Sequence, residues 1–69
     1  MFSKNLIYLR KKSNLSIAEL SEALKLNDYK IIEKWENNLE TPKVIILSKI
    51  SHFFGITIDD LMEKDLSNY

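Results

Sequence analysis

Residues 15–37 read LSIAELSEALKLNDYKIIEKWEN, and the spacing within this stretch decides the fold. Ser16-Ile17-Ala18-Glu19 is a capping box: the serine side chain accepts from a free amide of the first turn, and the glutamate reaches back to the serine N–H. Leu20, Ala23 and Leu24 follow at helical spacing and form the buried stripe of a short helix. Lys25-Leu26-Asn27-Asp28 then interrupts the periodicity as a turn, with Asn27 or Asp28 as the N-cap of the next helix. That helix turns Ile32 and Trp35 inward. It stops at Asn37-Asn38, asparagine being the best residue after glycine for a left-handed helix end.

Working outward, Phe2, Leu6 and Leu9 fall at i, i+4 and i+7 of a preceding helix whose last turn carries Lys11 and Lys12. Downstream, Thr41-Pro42 reads as N-cap and first residue of a fourth helix, where the missing proline N–H costs nothing. Val44, Leu47, Ile50 and Phe54 are its expected inner face, and Gly55 ends it. Thr57-Ile58-Asp59-Asp60 opens a short fifth helix. The expected helices are 3–12, 16–25, 28–37, 42–54 and 58–63, an all-α, compact five-helix bundle. Residues 1–64 form the domain, and 65–69 are expected to be a short, frayed tail.

Composition narrows the function. Sixty-nine residues make one domain, and 45% apolar content without a long apolar run predicts a soluble, cytoplasmic protein with no membrane association. Residues 1–5 carry no apolar signal-peptide core. There is no cysteine, hence no disulfide and no thiolate metal site. The single histidine, His52, leaves no Ser-His or Cys-His pair to build on, so no catalytic role is expected. Asp59, Asp60, Glu63 and Asp65 lack calcium-loop spacing and read as a solvated helix start rather than a metal site. No cofactor and no small-molecule substrate is indicated. The formal charge is zero, but residues 1–49 hold nine cations against six acids, whereas residues 50–69 hold one against four. The molecule is polarised, with its acid at the C-terminal end.

Two short helices joined by a tight turn, the second polar-faced and anchored by tryptophan, form a helix-turn-helix. In that arrangement the second helix lies in the major groove of double-stranded DNA and the first crosses the backbone. With Asp28 as cap, Tyr29, Lys30, Glu33 and Lys34 share the exposed face. Lysine reaches guanine O6 and N7, tyrosine meets a thymine methyl, and glutamate accepts from cytosine N4. Phosphate contacts are expected from Ser16 and Ile17 at the start of the second helix, from Asn37 and Asn38, and from Lys43.

The sequence resembles the Cro/repressor (XRE-type) helix-turn-helix family over about residues 5–62. The resemblance is carried by Asn5-Leu6, Leu9-Arg10, Leu15-Ser16, Glu19-Leu20, Trp35-Glu36-Asn37, Pro42 and the run from Phe54-Gly55 to Asp60-Leu61. It implies a lambda-repressor-like bundle, a transcriptional regulator, kinship with phage, plasmid or bacterial repressors, and a structural ion pair between Arg10 and Glu36. Three departures stand out. The family's glycine in the turn between the second and third helices is replaced by Lys25 or Asn27, Leu20 to Trp35 is one residue longer than usual, and Ile17 stands where a phosphate-touching glutamine is common.

Ile45, Ile46 and Phe53, together with Ile58, Met62 and Tyr69, exceed what one small core can bury. Such a surplus points to a homodimer, with Ile45, Phe53, Ile58 and Met62 as its interface. A rival reading is a helix-turn-helix-shaped interaction module that antagonises another regulatory protein without DNA affinity of its own, which the zero net charge favours.

Overall fold

The computed structural model describes residues 1–68. Five helices follow one another: α1 (Phe2–Lys12), α2 (Ile17–Ala23), α3 (Lys30–Glu36), α4 (Val44–Phe54) and α5 (Ile58–Glu63), with a final 3₁₀ turn, Leu66–Asn68. There is no strand among the described residues. No helix among them is long and apolar enough to cross a membrane. The core takes one fully buried aliphatic side chain from each helix: Leu6, Leu20, Ile32, Ile50 and Leu61. Each such burial contributes about 1.5–3 kcal/mol, and Trp35, Phe2, Leu9, Leu24 and Leu47 extend the cluster.

The helices are short because the chain stops them with one repeated device. After α1, α2, α3 and α4 a residue takes the left-handed conformation: Asn14 (φ 58°), Lys25 (φ 58°), Asn38 (φ 59°) and Gly55 (φ 66°). In every case the next residue, Leu15, Leu26, Leu39 or Ile56, returns its N–H to a carbonyl five residues back, a Schellman closure. Leu15, Leu26 and Ile56 pack against the core, whereas Leu39 stays exposed. Of the two candidates for the family glycine in the α2–α3 turn, Lys25 is the one in the left-handed conformation.

Starts are more varied. Ser16 and Glu19 form the full capping box, with Glu19 N–H on Ser16 Oγ at 3.0 Å and Ser16 N–H on Glu19 Oε1 at 2.8 Å. The Ser16 N–H, and then its hydroxyl, hold the Glu19 carboxyl below its ordinary pKa. Thr57 caps α5 through the Asp60 N–H. α4 departs from expectation, since it begins at Val44 with Lys43 at the cap position and no side-chain cap. Pro42 is buried instead and shares a small cleft wall with Trp35 and Ile46.

Two further expectations are corrected. Val44, placed on the inner face of α4, is exposed, and Ile46, counted as surplus, packs against the core. At about 100° per residue, Ile46 lies nearer than Val44 to the direction set by Leu47, Ile50 and Phe54. Nor are residues 65–67 frayed. Leu66 is buried and its N–H donates to Asn5 Oδ1 at 3.0 Å. Asp65 pairs with Lys4 at 3.1 Å and accepts from the Ser67 hydroxyl, and these contacts, Ser67 first, hold its carboxyl below the usual value. An apolar residue that closes the end of the core, with its amide satisfied, holds the segment in place. Tyr69 lies outside the described residues.

Candidate nucleic-acid interface

α3 is seven residues long and two-sided. Ile32 and Trp35 are buried and Ile31 and Glu36 half-buried, while Tyr29, Lys30, Glu33, Lys34 and Asn37 are exposed. By helical geometry Lys30, Glu33, Lys34 and Asn37 form one outward stripe, with Tyr29 at its N-terminal end. Asn37, a candidate phosphate contact, is exposed at the C-terminal end of this stripe. α3 starts at Lys30 rather than at residue 28, and Asp28 Oδ1 accepts the Lys30 N–H at 2.9 Å.

The inner side of α3 is fastened to α1. Arg10 donates from Nε to Glu36 Oε2 at 2.6 Å and from Nη2 to Glu36 Oε1 at 3.0 Å, a bidentate pair. Its Nη1 donates to the Leu15 carbonyl at 3.0 Å, which ties in the α1–α2 loop. Both side chains are largely removed from solvent, 12% and 9% exposed. The Ser3 hydroxyl adds a bond to the Trp35 carbonyl at 2.6 Å. One arginine thus fixes the end of α3 against both α1 and the loop leading into α2.

Around this stripe, Ser16 is exposed at the start of α2 and Ile17 half-buried. The Ser16 and Glu19 amides are already bonded within the capping box, which leaves those of Ile17 and Ala18 without an intrahelical acceptor. Lys43 is exposed at the start of α4. Asn38 is occupied in closing α3, and its amide oxygen lies 3.3 Å from the Ser3 hydroxyl. The dimer candidates are not equivalent. Ile45 is 75% exposed and Phe53 is exposed eight residues on, whereas Ile58 and Met62 are half-buried against the core. No group of three or more potential metal ligands occurs among the described residues.

Two residues have structural roles that the sequence does not state. Asn5 is fully buried; its Nδ2 donates to the Leu61 carbonyl at 2.8 Å and the Lys64 carbonyl at 2.6 Å while its oxygen receives Leu66. The available signal was a polar residue inside the apolar stripe of Phe2, Leu6 and Leu9. Ser3 carries no comparable signal.

Comparison with curated proteins and with solved structures gives no match. The family model described as helix-turn-helix matches residues 6–61, from within α1 to within α5 and including every element of the interface. With that match over most of its length, the chain belongs to the XRE-type helix-turn-helix family of DNA-binding regulatory domains.

Proposed function

We propose that this chain is a sequence-specific transcriptional repressor of the cytoplasm that reads an operator with α3 in the major groove and acts as a homodimer. The observation that carries the reading is the mounting of α3. Ile32, Trp35 and the Arg10–Glu36 pair hold its back, and the outward stripe is left free of structural duty. In this reading Tyr29, Lys30, Glu33 and Lys34 meet base edges. Ser16, Ile17, Asn37, Asn38 and Lys43 border the groove and meet phosphate, with the Ile17 amide, beside that of Ala18, an available donor at the start of α2. Selection of bound sites from random duplexes tests it, and failure to enrich any sequence would refute it.

Lys30→Ala or Lys34→Ala is expected to cost about 1–3 kcal/mol on the selected site and to relax base preference at one position. Lys43→Ala is expected to weaken all duplexes alike and to lower the salt slope by about 1. Titrations at several salt concentrations separate the two classes. Equal losses on selected and random DNA for all three variants would remove the base-reading assignment.

The dimer rests on α4, where Val44 and Ile45 are 72% and 75% exposed on a helix whose ionisable residues are Lys49 and His52 alone. We place Ile45 at the centre of the contact, with Phe53 and the exposed parts of Ile58 and Met62 around it. The operator is then an imperfect palindrome with half-site centres about 10–10.5 base pairs apart. Ile45→Asp should weaken association by about 2 kcal/mol or more, read by sedimentation on a full site against a half-site. A dimer indifferent to both Ile45→Asp and Phe53→Asp would exclude this interface.

A further inference from the structure

We propose that Glu33 is a rejecting residue: its carboxylate lowers the affinity of the recognition face for every duplex except one that offers it a base amino group. The inference rests on the reading of α3 as the groove helix and deepens it. The stripe and the turn before it carry Lys25, Lys30 and Lys34 against Asp28 and Glu33, so two acids offset most of the positive charge on the face that meets a polyanion.

The two acids differ in what they do inside the protein. Asp28 is engaged, its carboxylate holding the Lys30 N–H at the start of α3. The Glu33 carboxylate makes no hydrogen bond or ion pair among the described residues, although Lys30 stands three residues before it on the same stripe. A carboxylate without an internal partner, between two lysines on this face, diminishes general attraction to phosphate. In the major groove it finds a donor in the amino group of cytosine or adenine. Opposite guanine or thymine it meets acceptor oxygens and loses water without replacement. Its discrimination is therefore mainly a penalty on wrong partners. The competing explanation is local: Glu33 lies in the first turn of α3, where an acid stabilises the helix.

Glu33→Gln keeps the shape and removes the charge. Binding is measured to the duplex selected by the unchanged protein and to a random duplex of equal length, with thermal melting alongside. The variant should bind random DNA about fivefold more tightly, the effect of one like charge some 4 Å from phosphate in water. The selected duplex should gain nothing, base preference should relax at one position, and melting should be unchanged. An equal gain on both duplexes with base preference intact, or no gain on either, overturns the proposal. Lowered melting with unchanged binding also overturns it, in favour of the helix-terminus role. A parent protein that enriches no duplex at all refutes the groove-helix reading itself, a result obtained before any variant is made.

Discussion

Arg10→Met should lower the stability of the domain by about 3–5 kcal/mol, the usual consequence of removing one partner from a buried ion pair. The size follows from what is stranded. Glu36 is 9% exposed and both of its oxygens are bonded to Arg10, so the variant leaves a charge with little water and no cation. The Leu15 carbonyl loses its donor in the same substitution. A domain of this length has roughly 3–10 kcal/mol in total, so the variant stands near the edge of unfolding. Urea denaturation measures the loss, and the double variant Arg10→Met/Glu36→Leu should recover most of it because no charge is then stranded. An unchanged midpoint in the single variant would mean that Glu36 is hydrated in solution. The recovered double variant should still bind DNA less well than the parent if the pair also sets the angle of α3.

Asn5→Ala should be comparably damaging. It removes the donors to the Leu61 and Lys64 carbonyls and the acceptor of the Leu66 N–H in a fully buried position. Each buried group left unmatched costs about 1–3 kcal/mol, to which the vacated volume adds. Asn5→Asp separates hydrogen bonding from volume. It keeps the acceptor for Leu66 but sets a carboxylate against two carbonyl oxygens, so its pKa in the folded state is raised and the parent's advantage grows with pH through the carboxylate range. The parent itself moves the other way. Glu19 and Asp65 have lowered pKa values, so the stability they contribute is present above the ordinary carboxylate pKa and lost as pH falls through the folded value. The readout is therefore the difference between variant and parent at each pH. A difference independent of pH would show that residue 5 is hydrated.

The elements were legible because patterning, caps and stops agreed. Ser16 with Glu19 and Gly55 with Thr57 locate helix ends to within two residues. The sidedness of α3 was equally readable, since Ile32 and Trp35 fix its inward direction. What escaped depends on contacts distant in sequence. Nothing near Asn5 says that its partners are at 61–66, and nothing near Pro42 says that it is used for packing rather than for starting a helix. The tail was misjudged for a related reason. A single leucine after a charged stretch has no periodicity to report, and Leu66 gains its place only from α1. On α4, a four-residue repeat of apolar side chains admits two phases, and only the packed bundle distinguishes Ile46 from Val44.

The bonds of Asn5 also order events in time. Asn5 leaves the ribosome well before the carbonyls and amide it must satisfy, which belong to residues 61–66. At about 5–20 residues per second, synthesis of the intervening chain takes roughly 3–12 s, far longer than a helix needs to form. During that interval α1 has neither α5 nor the 3₁₀ turn to cover it, and its stripe of Phe2, Leu6 and Leu9 stays open to other chains. The domain thus closes only once residues 61–66 have emerged, and nascent chains halted before residue 61 should be digested by protease at α1 while released chains that carry residues 61–66 resist.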